Sequence, residues 1–235
     1  MKTKITTFSI AILLTFNCCN SNHNKVATKK QDTVVEPRET PVTHLVEDTP
    51  FLMPVDSTFT ITGRGTVATG RIARGTIHIG NAVEIIGLLP GSIYSVVTDV
   101  AISFKNVGKG ITGDSVELLL RGVDRRDIRR GMVICAPHSI SAHIQFICKV
   151  HLLSKEEGGR PTSVLNKFKP HFLILTADVM GEVEVPSRIK IVTPGDSVNM
   201  TVRLSSPVAL EKNFGITIHE GRDTIGSGLV TEILK

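Results

Sequence analysis

Apolar and polar residues alternate along much of the sequence from residue 51 onward. In residues 144–152, 198–204 and 214–218, an apolar side chain occupies nearly every second position. This period places successive side chains on opposite faces of a β-strand, whereas an amphipathic helix requires a period of about 3.6 residues. Glycines that can form turns separate these runs. The pattern predicts an all-β fold of the sandwich or barrel type, with one plausible helical turn at residues 125–130.

A short sequence echo divides this β-rich part into two units. Residues 112–116 read Thr-Gly-Asp-Ser-Val and residues 194–198 read Pro-Gly-Asp-Ser-Val, and an apolar strand pattern follows each. Gly-Asp-Ser turns are common between strands, so the echo alone is modest support for a repeated unit. A natural joint lies at residues 137–142. We therefore predict two consecutive small antiparallel β-barrels, at residues 49–139 and 140–235.

The first 18 residues resemble an export signal. Lys2 and Lys4 precede an apolar run of 12 residues, 5–16. A helix of that length cannot span a bilayer, because spanning requires roughly 20 residues. A basic end followed by a short apolar run is typical of a signal peptide, which we predict at residues 1–18.

Two cysteines follow this run directly. A basic end, a short apolar run and then Cys18 and Cys19 resemble a bacterial lipoprotein signal, in which the cysteine becomes the lipidated first residue of the mature chain. Thr15 and Asn17 depart from that pattern, which has an aliphatic and a small residue at these positions. We expect a lipid-anchored protein on the cell membrane or outer membrane, facing the periplasm or the exterior. An ordinary secretory signal and an unprocessed, cytoplasmic protein are the alternatives.

Residues 19–48 contain mostly polar residues, and their basic and acidic side chains nearly balance. A segment with so little apolar surface cannot offset the entropy lost on ordering, so we predict a disordered linker. The net charge of the whole chain is +5. This mild positive charge admits an anionic partner without requiring one.

Motifs of nucleotide hydrolysis and of nucleophilic catalysis do not occur. Residues 108–115 come nearest to a phosphate-binding loop, but such a loop needs a lysine after its second glycine and a helix behind it. Here Asp114 stands at that place and a strand pattern follows. A Gly-x-Ser-x-Gly motif is also missing. We therefore expect no enzyme activity, no catalytic residue and no cofactor.

The spacing of Cys135, His138, His143 and Cys148 could hold zinc. Cys148, however, shares the apolar face of its predicted strand with Phe146, and His143 falls on the opposite face. One tetrahedral site would have to reach both faces. We predict buried cysteines, exposed histidines and no metal site. A metal site and, after export, a disulfide between the two cysteines are the alternatives.

Residues 121–130 form the most basic segment, with five arginines and two aspartates. Guanidinium groups bind phosphates through charge-assisted hydrogen bonds that weaken with salt. The candidate phosphate contacts are Arg121, Arg125, Arg126, Arg129 and, in a charged glycine loop at 155–160, Arg160. Solvent-exposed turns without a ligand are the alternative for both segments.

Several motifs of the β-rich part are similar to those of one family. They are Phe-Leu-Met-Pro at 51–54, Gly-Arg-Gly-Thr-Val-Ala-Thr-Gly-Arg-Ile-Ala-Arg-Gly at 63–75, residues 119–123 and 128–133, Leu-Ser-Lys-Glu-Glu-Gly-Gly-Arg at 153–160, residues 177–181 and Pro-Gly-Asp at 194–196. In this order they resemble the second and third domains of elongation factor Tu. The resemblance implies two β-barrels joined near residue 140. The family's GTPase domain has no counterpart among these motifs, so GTP binding and hydrolysis are not implied.

The resemblance also implies a site, because the second domain of the family holds the aminoacylated 3′ end of tRNA. Asp127 matches the glutamate that meets the terminal adenosine there. Positions around the aminoacyl pocket are matched by Asp56, Phe59, Thr69 and Arg130. Ser57 replaces an acidic residue of that pocket.

The third domain of the family touches the T stem of tRNA, and here the match is weaker. Arg160 matches, whereas His171 stands where glutamine is usual and Pro161 where histidine is usual. Leu175 and Asp223 replace basic residues. Since phosphate attraction dominates such contacts, the loss of these cations predicts weak or absent tRNA binding.

Two functional hypotheses follow. The first is a non-enzymatic, membrane-tethered binding module that recognises an unknown protein, peptide or anionic polymer. The second is a cytosolic translation-related factor that binds aminoacyl-tRNA or the ribosome, in which case the export signal is misinterpreted. The mass of the mature N-terminus distinguishes them.

Overall fold

The fold is that of a computed structural model, which describes residues 49–159, 163–186 and 191–234. The predicted signal peptide, the predicted linker, both candidate lipidation sites (Cys18 and Cys19) and Arg160 lie outside the described residues. All regular secondary structure in the described part is β, so the predicted all-β fold is confirmed. Within those residues there is no helix long and apolar enough to cross a membrane.

The described chain forms eighteen strands. Strands β1 to β10 are Leu52–Pro54, Ser57–Ile61, Gly65–Arg71, Thr76–His78, Ala82–Ile86, Ile93–Ile102, Lys105–Asn106, Lys109–Ile111, Ser115–Leu120 and Val133–Cys135. Strands β11 to β18 are Ser141–Leu152, Val164–Leu165, His171–Ile174, Ala177–Glu184, Ile191–Val192, Ser197–Leu210, Gly215–Glu220 and Asp223–Ile233.

The first barrel is an antiparallel sheet in the order β1-β10-β5-β6-β9-β3-β2, with β7 added to β6. The sheet curls back on itself because β1 bonds to the segment just after β3. Leu52 N donates to Arg74 O over 3.0 Å, and Ala73 N donates to Leu52 O over 2.9 Å. Strands β4 and β8 form a separate two-stranded sheet.

The second barrel is closed, in the order β11-β16-β14-β13-β17-β18, and β12 pairs separately with β15. The alternation predicted for residues 144–152 is observed in β11, where Phe146, Cys148 and Val150 are buried and Lys149 is exposed. Phe146 meets Phe172 edge to face in the core, with ring centroids 6.4 Å apart. Together with the first sheet, this confirms the prediction of two consecutive antiparallel barrels.

Apolar and polar contacts join the two barrels. An apolar cluster of residues from both consists of Leu52, Ile86, Val133, Cys135, Ile140 and Ala209. The guanidinium group of Arg74 binds both carboxylate oxygens of Glu211, at 2.5 and 2.6 Å. Leu88 N also donates to Pro207 O over 2.6 Å. The described barrels are therefore joined by an apolar cluster, an ion pair and a backbone hydrogen bond.

The prediction of a helical turn at residues 125–130 is wrong. Asp127 N donates to Asp124 O over 3.0 Å, which closes a single tight turn. The buried side chains of Val123 and Ile128 hold the ends of that turn, and their spacing of five residues does not suit one helical face. The next donor, Gly131 N, bonds outside the segment, to Val55 O at 3.2 Å.

Both described cysteines are buried free thiols, as predicted. Cys135 lies between the barrels and Cys148 in the core of the second barrel, and burial raises their pKa values to about 11 and about 12. His138 is exposed, whereas His143 is half-buried, so the prediction of exposed histidines holds fully only for His138. Among the residues that the structure covers, no three metal-ligating side chains gather.

Candidate ligand-binding site

The arginine loop, residues 121–131, connects β9 to β10 in the first barrel. Val123 and Ile128 are buried in the barrel core and anchor the loop. All five arginine side chains are exposed: Arg121, Arg125, Arg126, Arg129 and Arg130. The loop therefore presents cations to solvent from a fixed backbone.

One arginine of this loop is already paired. The carboxylate of Asp124 accepts hydrogen bonds from the Arg126 backbone N–H at 2.9 Å and from its guanidinium group at 3.2 Å. These bonds hold the pKa of Asp124 below its usual value. Within the described part of the chain, the side chains of Arg125 and Arg129 form no ion pair. The charge available to a ligand thus comes chiefly from the unpaired arginines.

Backbone hydrogen bonds bring three of the predicted pocket residues together. Asp56 N donates to Thr69 O over 2.8 Å. The bond from Gly131 N to Val55 O places Arg130 one residue away from the same strand end. Asp56, Thr69 and Arg130 therefore lie around the start of β2.

The other two predicted pocket residues lie beside this group. Thr58 Oγ1 donates to Ile128 O over 3.4 Å, which holds Asp127 near β2, with its side chain exposed. Phe59 is half-buried and pairs with Val67 across β2 and β3. By the strand period, it shares a face with Thr69.

That face carries a cleft of about 190 Å³, on the outside of β2, β3, β9 and β6. Its lining residues are Ile61, Arg64, Val67, Asp99, Ala101, Phe104, Asn106, Glu117 and Leu119. Val67 and Leu119 are only 3% and 7% exposed, although neither belongs to the barrel core. They form an apolar floor outside the barrel.

The rim of this cleft is polar, with one ion pair and, in Glu117, one further carboxylate. Arg64 Nη2 lies 2.7 Å from Asp99 Oδ2, and the other oxygen of Asp99 accepts a hydrogen bond from the Asn106 amide. Phe104 stands at the tip of the β6–β7 hairpin with 87% of its surface exposed. An apolar floor with a few fixed polar groups suits a flat, partly apolar ligand that has a hydrogen-bonding edge.

None of the residues that line this cleft was a predicted site residue, but the sequence contains a signal for the cleft. Residues 118–120 of β9 are three consecutive leucines, and residues 67–68 of β3 are Val-Ala. A strand with one face in water would alternate, whereas consecutive apolar residues indicate a strand covered on both faces. The residues that cover the outer face of these strands form the walls of this cleft.

The predicted tRNA-stem residues of the second barrel are only partly described. Arg160 and Pro161 lie outside the described residues. His171 Nδ1 lies 2.9 Å from Asp178 Oδ1, and Asp223 is exposed at the start of β18. Leu175 packs against the cluster between the barrels. These residues add carboxylates or apolar surface where a phosphate backbone would need cations.

Two family models match this chain. The one described as elongation factor Tu domain 2 matches residues 65–135, and the one described as elongation factor Tu C-terminal domain matches residues 139–234. The first match covers most of the first barrel, including the arginine loop and all lining residues of the cleft except Ile61 and Arg64. The break between the matches falls in the connection between β10 and β11. Residues 65–135 and 139–234 are therefore similar to domain 2 and to the C-terminal domain of elongation factor Tu, respectively.

Proposed function

We propose that this chain is a non-enzymatic binding module whose ligand occupies the cleft on the outer face of the first barrel. The observation that carries the proposal is the apolar floor of Val67 and Leu119 beneath a rim whose Arg64 and Asp99 neutralise each other. Such a rim orients a ligand through hydrogen bonds without demanding a charged one. A nucleoside base or an aromatic side chain of a peptide has this chemistry.

Calorimetric titration with adenosine and with an N-acetylated aromatic amino-acid amide tests the proposal. Ala101→Phe narrows the cleft from its wall and should weaken binding by about tenfold or more. Ser227→Phe, on an exposed position of β18, is the matched control and should bind like the unchanged chain. If neither probe binds, or if both variants lose binding equally, the cleft is not the ligand site.

A second candidate function is binding of an aminoacyl-tRNA end. It is favoured by the hydrogen bonds that hold Asp56 and Thr69 beside Arg130, because these residues match the family's aminoacyl pocket. The carboxylates around His171 and Asp223 oppose contacts to the tRNA stem. Filter binding with aminoacyl-tRNA at low salt tests this function, since screening is weakest there. An absence of binding at low salt would exclude it.

The arginine loop is proposed as a contact for phosphates or another anionic polymer. Arg129→Ala should lower the slope of log affinity against log salt by about one. Arg126→Ala should change the slope less, because Asp124 already neutralises Arg126. Arg203→Ala, at an exposed position of the second barrel, is the control. Equal slopes in all three variants would indicate that the loop is a solvent-exposed turn that binds no anion.

The membrane tether remains a proposal that rests on residues 1–19. A basic end, an apolar run of 12 residues and two cysteines support it. Labelling of cells with a radioactive fatty acid should mark the protein, and the double substitution Cys18→Ser, Cys19→Ser should abolish the label. Membrane fractionation should place the labelled protein with the membranes. A soluble protein that retains residues 1–18 contradicts the tether.

A further inference from the structure

One end of the first barrel exposes an unusual number of large apolar side chains. Phe104, Val107 and Ile111 lie within eight residues and are 87%, 46% and 50% exposed, and Ile79 is 45% exposed. Single exposed apolar side chains are ordinary on protein surfaces, but a group of them marks an interaction site.

Backbone contacts bring residues 78 and 79 beside residues 108 and 109, and Phe104 lies three residues before Val107 in the adjoining hairpin. We call residues 78–81 and 103–111 the apolar tip. Ile79 N donates to Gly108 O over 3.2 Å, directly beside Val107. His78 pairs with Lys109 across β4 and β8, and Ile111 is two residues farther along β8. The tip therefore consists of turns and short strand ends rather than of a flat sheet face.

The backbone at Phe104 is strained. Ser103 and Phe104 form the two-residue loop of the β6–β7 hairpin, between the paired residues Ile102 and Lys105. Their φ angles are 50° and 63°, in the left-handed region where such loops normally place Asn or Gly. An aromatic residue in this conformation, with 87% of its surface in water, contributes nothing to the barrel core that would offset the strain.

The charges of the apolar tip are positive. Lys105 and Lys109 alternate with its apolar residues, and neither forms an ion pair within the described residues. Two neighbouring carboxylates are occupied, because Asp99 binds Arg64 and Asn106 and Asp114 accepts a hydrogen bond from Ile111 N at 2.9 Å. Glu117, on the wall of the cleft, is a further carboxylate on this side of the barrel. The tip thus combines protruding apolar side chains with unpaired lysines.

We propose that the apolar tip docks on an anionic lipid bilayer, with Phe104, Val107 and Ile79 between the headgroups and Lys105 and Lys109 against their phosphates. Apolar residues and lysines in one surface are the combination that binds anionic membranes. A protein partner is less suited to it, because stable protein interfaces need broad complementary surfaces of roughly 1,000 Å² or more. This contact would orient the first barrel on a membrane, and it is independent of the lipid proposed at Cys18 or Cys19.

The test uses the full chain with Cys18→Ser and Cys19→Ser, so that acylation plays no part. The chain contains no tryptophan, so Phe104→Trp introduces a single reporter. Its emission should shift to the blue with phosphatidylglycerol vesicles, and acyl-chain-brominated lipids should quench it. Leu165→Trp, at a 57% exposed position of the second barrel, should show neither effect. Since residues 1–18 are identical in both proteins, a difference between them arises from the position of the reporter.

A second measurement avoids Phe104, which also lines the cleft. Ile79→Ser with Val107→Ser and Lys109→Glu should weaken sedimentation with phosphatidylglycerol vesicles by about tenfold or more. Leu165→Ser with Ile191→Ser and Lys212→Glu is the matched control and should sediment as before. An unshifted emission from the Phe104→Trp protein, an equal loss in the control, or a blue shift with single-stranded nucleic acid but not with vesicles would overturn the proposal. Neither readout depends on fatty-acid labelling, and the sedimentation measurement changes no residue that lines the cleft.

Discussion

The Arg74–Glu211 pair should couple the stabilities of the two barrels. It has two hydrogen bonds of 2.5 and 2.6 Å, and each side chain is 28% exposed. A fully exposed ion pair contributes about 0–1 kcal/mol, whereas a hydrogen bond to a charged group contributes about 1.5–3 kcal/mol. A bidentate pair with limited exposure lies between these limits. We therefore expect a coupling energy of about 1.5–2.5 kcal/mol between the two residues.

A double-mutant cycle with Arg74→Met and Glu211→Gln measures this energy, with urea-induced unfolding followed by circular dichroism. Gln keeps the shape of the side chain but removes its charge. The control is the Lys169–Glu182 pair within the second barrel, whose atoms lie 3.1 Å apart with 60% and 33% of the side chains exposed. Its coupling should stay below about 1 kcal/mol and should fall further with salt. A coupling energy for Arg74–Glu211 no larger than that of the control would refute the reasoning.

Three further outcomes are expected. Gly70→Ala should lower the free energy of unfolding, measured by thermal denaturation, by about 3 kcal/mol or more, because the added Cβ would lie 2.1 Å from a backbone carbonyl oxygen. Gly215→Ala, where nothing lies within 4 Å of the added Cβ, should change this free energy by less than about 1 kcal/mol. Cys148, with a pKa of about 12 and no exposed surface, should react with a disulfide reagent only after unfolding, and reaction in the native state would contradict its burial. For Glu84, burial raises the pKa, but hydrogen bonds from the His138 backbone N–H and from two hydroxyl groups lower it by more. The stabilisation by Glu84 is therefore present above its ordinary pKa of about 4.5 and is lost as the pH falls through the lower pKa of the folded state. The free energy of unfolding of the Glu84→Gln variant should consequently decrease less at acidic pH than that of the unchanged chain.

Long strands with one buried face could be predicted from the sequence. The alternation in residues 144–152 corresponds to the burial in β11, because a period of two directly records which side chains face the core. Strands of two or three residues, such as β7 and β12, are too short to show a period. They form where distant segments pair, so their positions depend on the tertiary fold. The prediction for the arginine loop was wrong for the same reason. Its anchors, Val123 and Ile128, are buried against core residues that are distant in the sequence.

The candidate site shows a similar division. The family resemblance assembled Asp56, Thr69 and Arg130, and the structure brings these residues to one strand end. The cleft was not predicted because its rim comes from elements that are separate in the sequence: Arg64 follows β2, whereas Asp99 belongs to β6. Only the strand order β6-β9-β3-β2 places these two elements on one surface. No local sequence pattern records that order.

The β2 strand links the two proposed binding surfaces of the first barrel. Thr58 bonds to the arginine loop, and Ile61 lines the cleft. These residues are three positions apart on one strand, and this odd spacing places their side chains on opposite faces of β2. The cleft therefore opens on one face of the strand, whereas the arginine loop bonds to the other face. Binding of a ring in the cleft and binding of an anion on the loop should accordingly be separable, so Ala101→Phe should weaken the first without changing the salt dependence of the second.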